Sequence, residues 1–148
     1  MSSNVPPASQ GAAPVERPSV SARGALWTGR ILTALAVLFL LFDGITKVMR
    51  VPAVLKASAQ LGLSDELIVA IGVTLLLCTG LYVIPRTAVL GAVFLTGYLG
   101  GAVSIQLRVG NPLFSETLFP VYFGVLVWLG LYLRESRLRA LVPLRRLI

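Results

Sequence analysis

The sequence predicts an all-α membrane protein: a four-transmembrane-helix bundle with both termini cytoplasmic. Three observations carry this. Of 148 residues, 56% are hydrophobic and only 13% charged, where a soluble domain carries about 25% charged residues, so one small water-soluble core cannot hide the apolar excess. The mean hydropathy is +0.86, and the uncharged runs have the length of bilayer spans. The basic residues divide unequally between alternate connections, which sets an orientation.

Residues 1–24 hold Pro6, Pro7, Pro14 and Pro18 among Ser, Ala and Gly, and read as a disordered cytoplasmic arm with too little bulk to bury anything. They do not read as a cleavable signal peptide. The apolar run starts too late, and the only A-x-A triplet near it, Ala57-Ser58-Ala59, lies far beyond its end. That first run, 31–42, has 12 residues and at 1.5 Å per residue covers only about 18 Å of a hydrocarbon core roughly 30 Å thick. A helix over about 27–48 is long enough, and it carries Asp43 and Lys47 into or near the bilayer.

In the connection that follows, Pro52 opens a short interfacial helix through Gln60 and Gly62 ends it. Ser64 then caps the second span, with Asp65 and Glu66 on the positive end of its dipole. The second and third spans are the uncharged runs 67–84, of 18 residues, and 87–107, of 21. After Asn111-Pro112, a turn signal, the fourth span is 117–133, of 17 residues, with Pro120 in its first turns where the missing N–H is tolerated. The membrane domain thus covers 25–134. Residues 135–148 alternate Arg with Leu, Ala and Val, a basic interfacial tail suited to anionic headgroups.

The net charge of +7 would suggest nucleic acid in a soluble chain, but here it reports topology. Nine basic residues (Arg17, Arg23, Arg30, Arg86, Arg134, Arg137, Arg139, Arg145 and Arg146) fall on the side of the termini. Four, Lys47, Arg50, Lys56 and Arg108, fall on the other. The positive-inside rule makes the first side cytoplasmic and membrane lipid the counter-charge, with no nucleic-acid partner. With no histidine and one cysteine, a metal site, a His-dependent triad and a CxxC redox pair are not expected. Cys78 reads as a small buried apolar residue. Trp27, Tyr82 and Tyr132 read as aromatic anchors near the cytoplasmic interface, and the deeper Tyr122 and Trp128 as packing residues, with stacking on a ligand as the alternative.

Polar chemistry concentrates at the outer end. Asp43 and Lys47 are four apart with the acid first, the favourable order for a helical ion pair, and an unpaired intramembrane charge is costly enough to suggest function. Arg108 and Glu116 belong to the same level, so Asp43, Lys47, Arg108, Gln106 and Glu116 form the candidate polar cluster or headgroup site, although Gln106 points away from Arg108 on a regular helix. An ion-pair network that merely completes the bundle predicts the same residues. Gly97, Gly101 and Ser104 form a small-residue stripe with the spacing that lets helix backbones approach. Packing within the bundle is its plainest role, and dimerisation or close approach of a flat ligand are the alternatives.

The ordered set Phe42-Asp43-Gly44-Ile45-Thr46-Lys47, Leu61-Gly62-Leu63-Ser64, Ile84-Pro85-Arg86-Thr87-Ala88-Val89-Leu90-Gly91-Ala92, Gly97-Tyr98-Leu99-Gly100-Gly101-Ala102-Val103 and Arg108-Val109-Gly110 resembles the DoxX-like family of small bacterial integral membrane proteins, over about 27–134. The resemblance implies a four-helix bundle in the bacterial inner membrane and an association with quinone-linked oxidoreductases. Relatives often carry a histidine shortly after the GGAV segment, where this chain has Gln106, so a role carried by that histidine does not transfer.

The expected function is therefore an accessory or quinone-associated subunit of a membrane redox system. The chain has no intrinsic cofactor of its own; a quinone and a redox partner protein are the implied associates. Whether the chain is itself an enzyme stays open, since it carries no self-contained catalytic constellation. A small transporter using the same charges as a gate, or a purely structural anchor, are the alternatives. The transporter needs a polar path toward the cytoplasm, for which Thr33, Thr74, Thr79 and Thr96 are the scattered candidates. For the topology, a green fluorescent protein fused to either terminus should fluoresce and an alkaline phosphatase fused there should be inactive. Active phosphatase at either end would reverse the assignment.

Overall fold

The computed structural model describes residues 20–141. Six α-helices follow in order: α1 (Val20–Val48), α2 (Pro52–Gln60), α3 (Asp65–Val83), α4 (Ala88–Val109), α5 (Phe119–Arg134) and α6 (Ser136–Leu141). A π-helical turn, Leu113–Thr117, leads into α5. Four segments are long and apolar enough to cross a membrane: Arg23–Val48, Asp65–Val83, Ala88–Val109 and Leu113–Arg134. The fold is all-helical. Most of the expected arm and the end of the basic tail, 1–19 and 142–148, lie outside the described residues.

Two boundaries differ from the sequence expectation. The α1 backbone is already helical at Val20, ahead of the expected start near 27, and no proline interrupts the ladder from there to Val48. The fourth span also starts earlier. Alone, α5 has 16 residues and would reach only about 24 Å. The π turn before it, closed by Thr117 N–H to the Pro112 carbonyl and Leu118 N–H to the Leu113 carbonyl, adds the missing length. Local signals did set α2 and α3: Pro52 opens α2, and the Ser64 hydroxyl accepts the Leu67 N–H at the start of α3.

The four spans form a ring in which α1 packs on α3 and α5, and α4 on α3 and α5, while the backbones of α1 and α4 stay apart. Leu35, Leu38, Phe42, Leu77, Val93 and Val125 point outward, as the lipid-facing side of a bundle requires. With no hydrophobic drive between helices in lipid, close packing must hold them. Glycines supply it at two crossings of α1. A Cβ on Gly72 would lie 2.8 Å from the Lys47 Cβ and 3.0 Å from the Gly44 carbonyl oxygen, so α1 and α3 meet backbone to backbone there. Towards the opposite end, a Cβ on Gly130 would sit 2.7 Å from the Thr33 hydroxyl and one on Gly29 2.8 Å from the Leu133 Cβ.

This corrects the packing role expected of α4. A Cβ at Gly97 or Gly101 meets nothing within 4 Å, and Ser104 is exposed with its hydroxyl donating to the Gly100 carbonyl of its own helix. None of the three brings a neighbouring span of the chain close. The inward side of α4 is instead hollow at the α2 end and filled at the other.

At the filled end the core consists of Ala36, Leu75, Cys78, Tyr82, Leu95, Val127 and Leu131 among others. Tyr82 belongs to this core and not to an interfacial belt. It is 0% exposed, its hydroxyl donates to the Val127 carbonyl at 2.8 Å, and the Arg134 guanidinium lies 5.8 Å from its ring centroid. That bond ties α3 to α5 across the bundle. Trp27, by contrast, is exposed beside Arg30. Trp128 donates from its indole N–H to the Thr96 hydroxyl at 2.8 Å and joins α5 to α4.

Gly91 of α4 makes the tightest approach, its Cβ position 2.3 Å from the Tyr82 backbone nitrogen of α3. At the α1 crossings, Gly72→Leu and Gly130→Leu should each destabilise the bundle by about 1–3 kcal/mol, the usual cost of overpacking. Gly97→Ala and Gly101→Ala should leave the melting temperature in detergent nearly unchanged. A larger loss at Gly97 than at Gly130 would contradict the packing described.

Candidate functional site

Between α1 and α4, at the α2 end, the bundle holds a partly open cavity of about 650 Å³, a volume typical of small-molecule sites. All four spans line it, and α2 lies across its top. Phe39, Asp43 and Lys47 enter from α1 at four-residue spacing, Gly97, Tyr98, Gly101 and Gln106 from α4, and Phe119 and Phe123 from α5. The small stripe on α4 thus makes space for the cavity.

One wall is aromatic. The rings of Phe39 and Phe123 stack with centroids 4.0 Å apart and 23° between planes. Phe119 packs edge-on to Phe39 at 5.5 Å and tilted to Phe123 at 5.1 Å. Such clusters gain roughly 0.5–1.5 kcal/mol per pair beyond area burial. The wall also offers a flat surface to a flat ligand.

The remaining corner is polar. Asp43 and Lys47 form a partly buried ion pair, the only one among the described residues. The Lys47 stem lies against Gly72, so the α1–α3 crossing aims both charges at the cavity. Tyr98 is partly buried in the same lining, and its hydroxyl makes no hydrogen bond to another described residue. Gln106 accepts through Oε1 from the Asn111 amide, which leaves its own N–H2 group free to donate. The site therefore holds hydrogen-bond donors at Lys47, Tyr98 and Gln106 and a carboxylate at Asp43, against an apolar wall.

The structure divides the residues that the sequence grouped. Asp43, Lys47 and Gln106 share the cavity, whereas Arg108 and Glu116 do not join the ion pair. Arg108 reaches over α2 and donates to the Leu61 carbonyl at 3.0 Å. It fastens the C-terminal end of the roof, where Gly62 turns with φ 74°. Glu116 is exposed and lines a separate cleft of about 470 Å³ outside the roof with Asn111, Ser115 and Gln106. Helix drift separates them: two residues on α4 rotate Arg108 by about 200° from the direction of Gln106.

Sequence reading missed the aromatic wall and the roof. Phe39 stands one turn before Asp43 and Phe119 one turn before Phe123, a spacing that places each pair on one face. Nothing in the sequence says that α2 covers the site. Beneath it the polar residues do not continue as a path. The hydroxyls of Thr74, Thr79 and Thr96 donate to carbonyls of their own helices, and the Thr33 hydroxyl is buried without a partner. No group of three His, Cys, Asp or Glu side chains converges among the described residues.

Four apolar spans around a mostly apolar cavity with a few polar groups define a multi-pass membrane protein with a small-molecule-sized site. The family model of the DoxX-like family matches residues 31–130, and the chain belongs to that family. No curated protein and no solved structure matches it.

The Arg108 contact yields a test. A charge-assisted hydrogen bond contributes about 1.5–3 kcal/mol, less where exposed, so Arg108→Ala should speed amide hydrogen exchange across 52–63 several-fold. Exchange in α3 and α5 should stay as it was. Unchanged exchange in α2 would mean that the roof is held by something else.

Proposed function

We propose that the chain is a quinone-binding accessory subunit of a membrane redox system, lodged in the bacterial inner membrane with the α2 end outward. The observation that supports it most is the combination of a stacked phenylalanine wall with hydrogen-bond donors lining the same cavity. A planar ring with carbonyl oxygens fits both. Phe39, Phe119 and Phe123 present a flat apolar face. Lys47, Tyr98 and Gln106 supply donors for carbonyl oxygens, and Asp43 holds Lys47 in place and neutralises its charge in a medium where an unpaired charge is costly.

A bound quinone would supply two-electron, two-proton redox chemistry. The residues of the chain bind and orient: the pair Asp43–Lys47 and the Tyr98 hydroxyl are the groups placed to hold a proton near a carbonyl. Electrons must come from a partner protein, since the chain offers no carrier. The filled core below the cavity, with its self-bonded threonines, favours a binding site over a passage.

The test is to purify the protein in mild detergent and analyse the lipid extract by mass spectrometry, followed by titration with a quinone. Stoichiometric quinone is expected, with Tyr98→Phe and Asp43→Asn each weakening binding by about tenfold, the equivalent of 1.4 kcal/mol. Loss of stability in Asp43→Asn with no quinone in any preparation would leave a structural anchor.

A further inference from the structure

A second, almost entirely apolar hollow of about 580 Å³ runs along the outer side of the α4–α5 seam, from Pro120 past Trp128 to Leu138. Along α5, from Pro120 to Tyr132, it extends about 18 Å at the rise of an α-helix. Two residues, Leu99 and Pro120, line both this groove and the cavity. The two spaces are neighbours separated by the Leu99 side chain and the Pro120 ring. Two glycines keep the seam open. A Cβ on Gly100 meets nothing within 4 Å, and one on Gly124 meets only the Leu99 Cδ1, at 3.7 Å. On the far side of the cavity, the cleft of Asn111, Ser115 and Glu116 shares Gln106, Phe119, Ala57 and Leu61 with it. The cavity thus lies between a polar cleft at the bundle end and an apolar groove along its flank.

We infer that the ligand enters laterally from the bilayer and stays partly in it: its ring occupies the cavity and a single long isoprenoid tail passes Leu99 and lies in the α4–α5 groove. This rests on the quinone reading and names the kind of quinone, a long-tailed membrane-resident one. The chemistry of the two spaces matches the two halves of such a molecule. Donors and a carboxylate line one, while the other is lined by Val103, Val121, Val125 and Leu129 with Gly100 and Gly124. A tail has no equivalent apolar exit at the α2 end, where α2 is fastened by Arg108 and the adjoining cleft is lined by Gln60, Gln106, Asn111, Ser115 and Glu116. Leu99, 8% exposed, is the side chain that must turn to admit it.

The test uses a long-tailed quinone and the tail-less benzoquinone with the same ring, titrated against protein in lipid nanodiscs. Gly100→Leu and Gly124→Leu fill the groove at positions where a Cβ has room, so folding should survive; thermal stability confirms it, and Leu99→Ala is the opposite perturbation. Wild type should bind both quinones. The two filling variants should bind the long-tailed quinone about tenfold more weakly and the tail-less ring as wild type does, while Leu99→Ala should speed association of the long-tailed quinone only. A photoreactive group on the tail should label α4 and α5 next to Gly100 and Val125. If the filling variants bind both quinones like wild type, or the tail labels α2, the lateral path is overturned and the quinone reading stands. If wild type binds neither, the quinone reading falls and this inference with it. If filling the groove instead splits a dimer, measured by light scattering, the groove is a contact between copies and the tail path is overturned.

Discussion

The backbone approach of α1 to its two neighbours is the constraint on which the rest of the molecule depends. Lipid offers no hydrophobic drive for helices to associate, so the spans must gain by touching. Gly44 and Gly72 permit this on the α3 side, Gly29 and Gly130 on the α5 side. These contacts make α1 the hub of the ring, and they lie near opposite ends of it. The remaining helix, α4, is held on α3 and α5, and its backbone stays apart from that of α1. The space between α1 and α4 must then be filled by side chains or left open.

Both outcomes occur. Towards the end where Tyr82 lies, the phenol and its bond to the Val127 carbonyl bridge the gap, with Leu75, Leu95 and Leu131 around it. Towards the α2 end, glycine and alanine on α4 leave the gap empty, and Asp43 and Lys47 use it. The Gly72 contact presses on the Lys47 stem, so the helix crossing that stabilises the bundle also orients the ion pair. Pairing is what makes two ionised groups tolerable at this depth. The same pair gives the cavity a polar corner without a net charge.

Covering that cavity falls to α2, a short helix whose two ends break at positive φ, at Arg50 and Gly62. Arg108 ties one end to α4. The residue that the sequence suggested as a member of the polar cluster thus acts one layer outside it, on the lid. The charge it carries is spent on a carbonyl, and Asp43 is left to Lys47 alone.

The sequence by itself determined the membrane class, the number of spans, the start of α2 at Pro52, the cap at Ser64 and the Asp43–Lys47 pair. Each of these is written in composition, in run length or in residues within four positions of one another, where helix geometry dictates the contact. Only the tertiary structure decided which glycines carry helix contacts. Gly97-x-x-x-Gly101 has the pattern of close packing and lines a void, while the isolated Gly72 and Gly130 have no pattern and carry the load. The difference lies on the partner helix, because a small residue permits approach only where the neighbouring backbone comes to meet it. The aromatic wall, the burial of Tyr82 and the place of Arg108 have the same origin. Each depends on rotation and crossing of helices distant in sequence, which spacing along one helix does not encode.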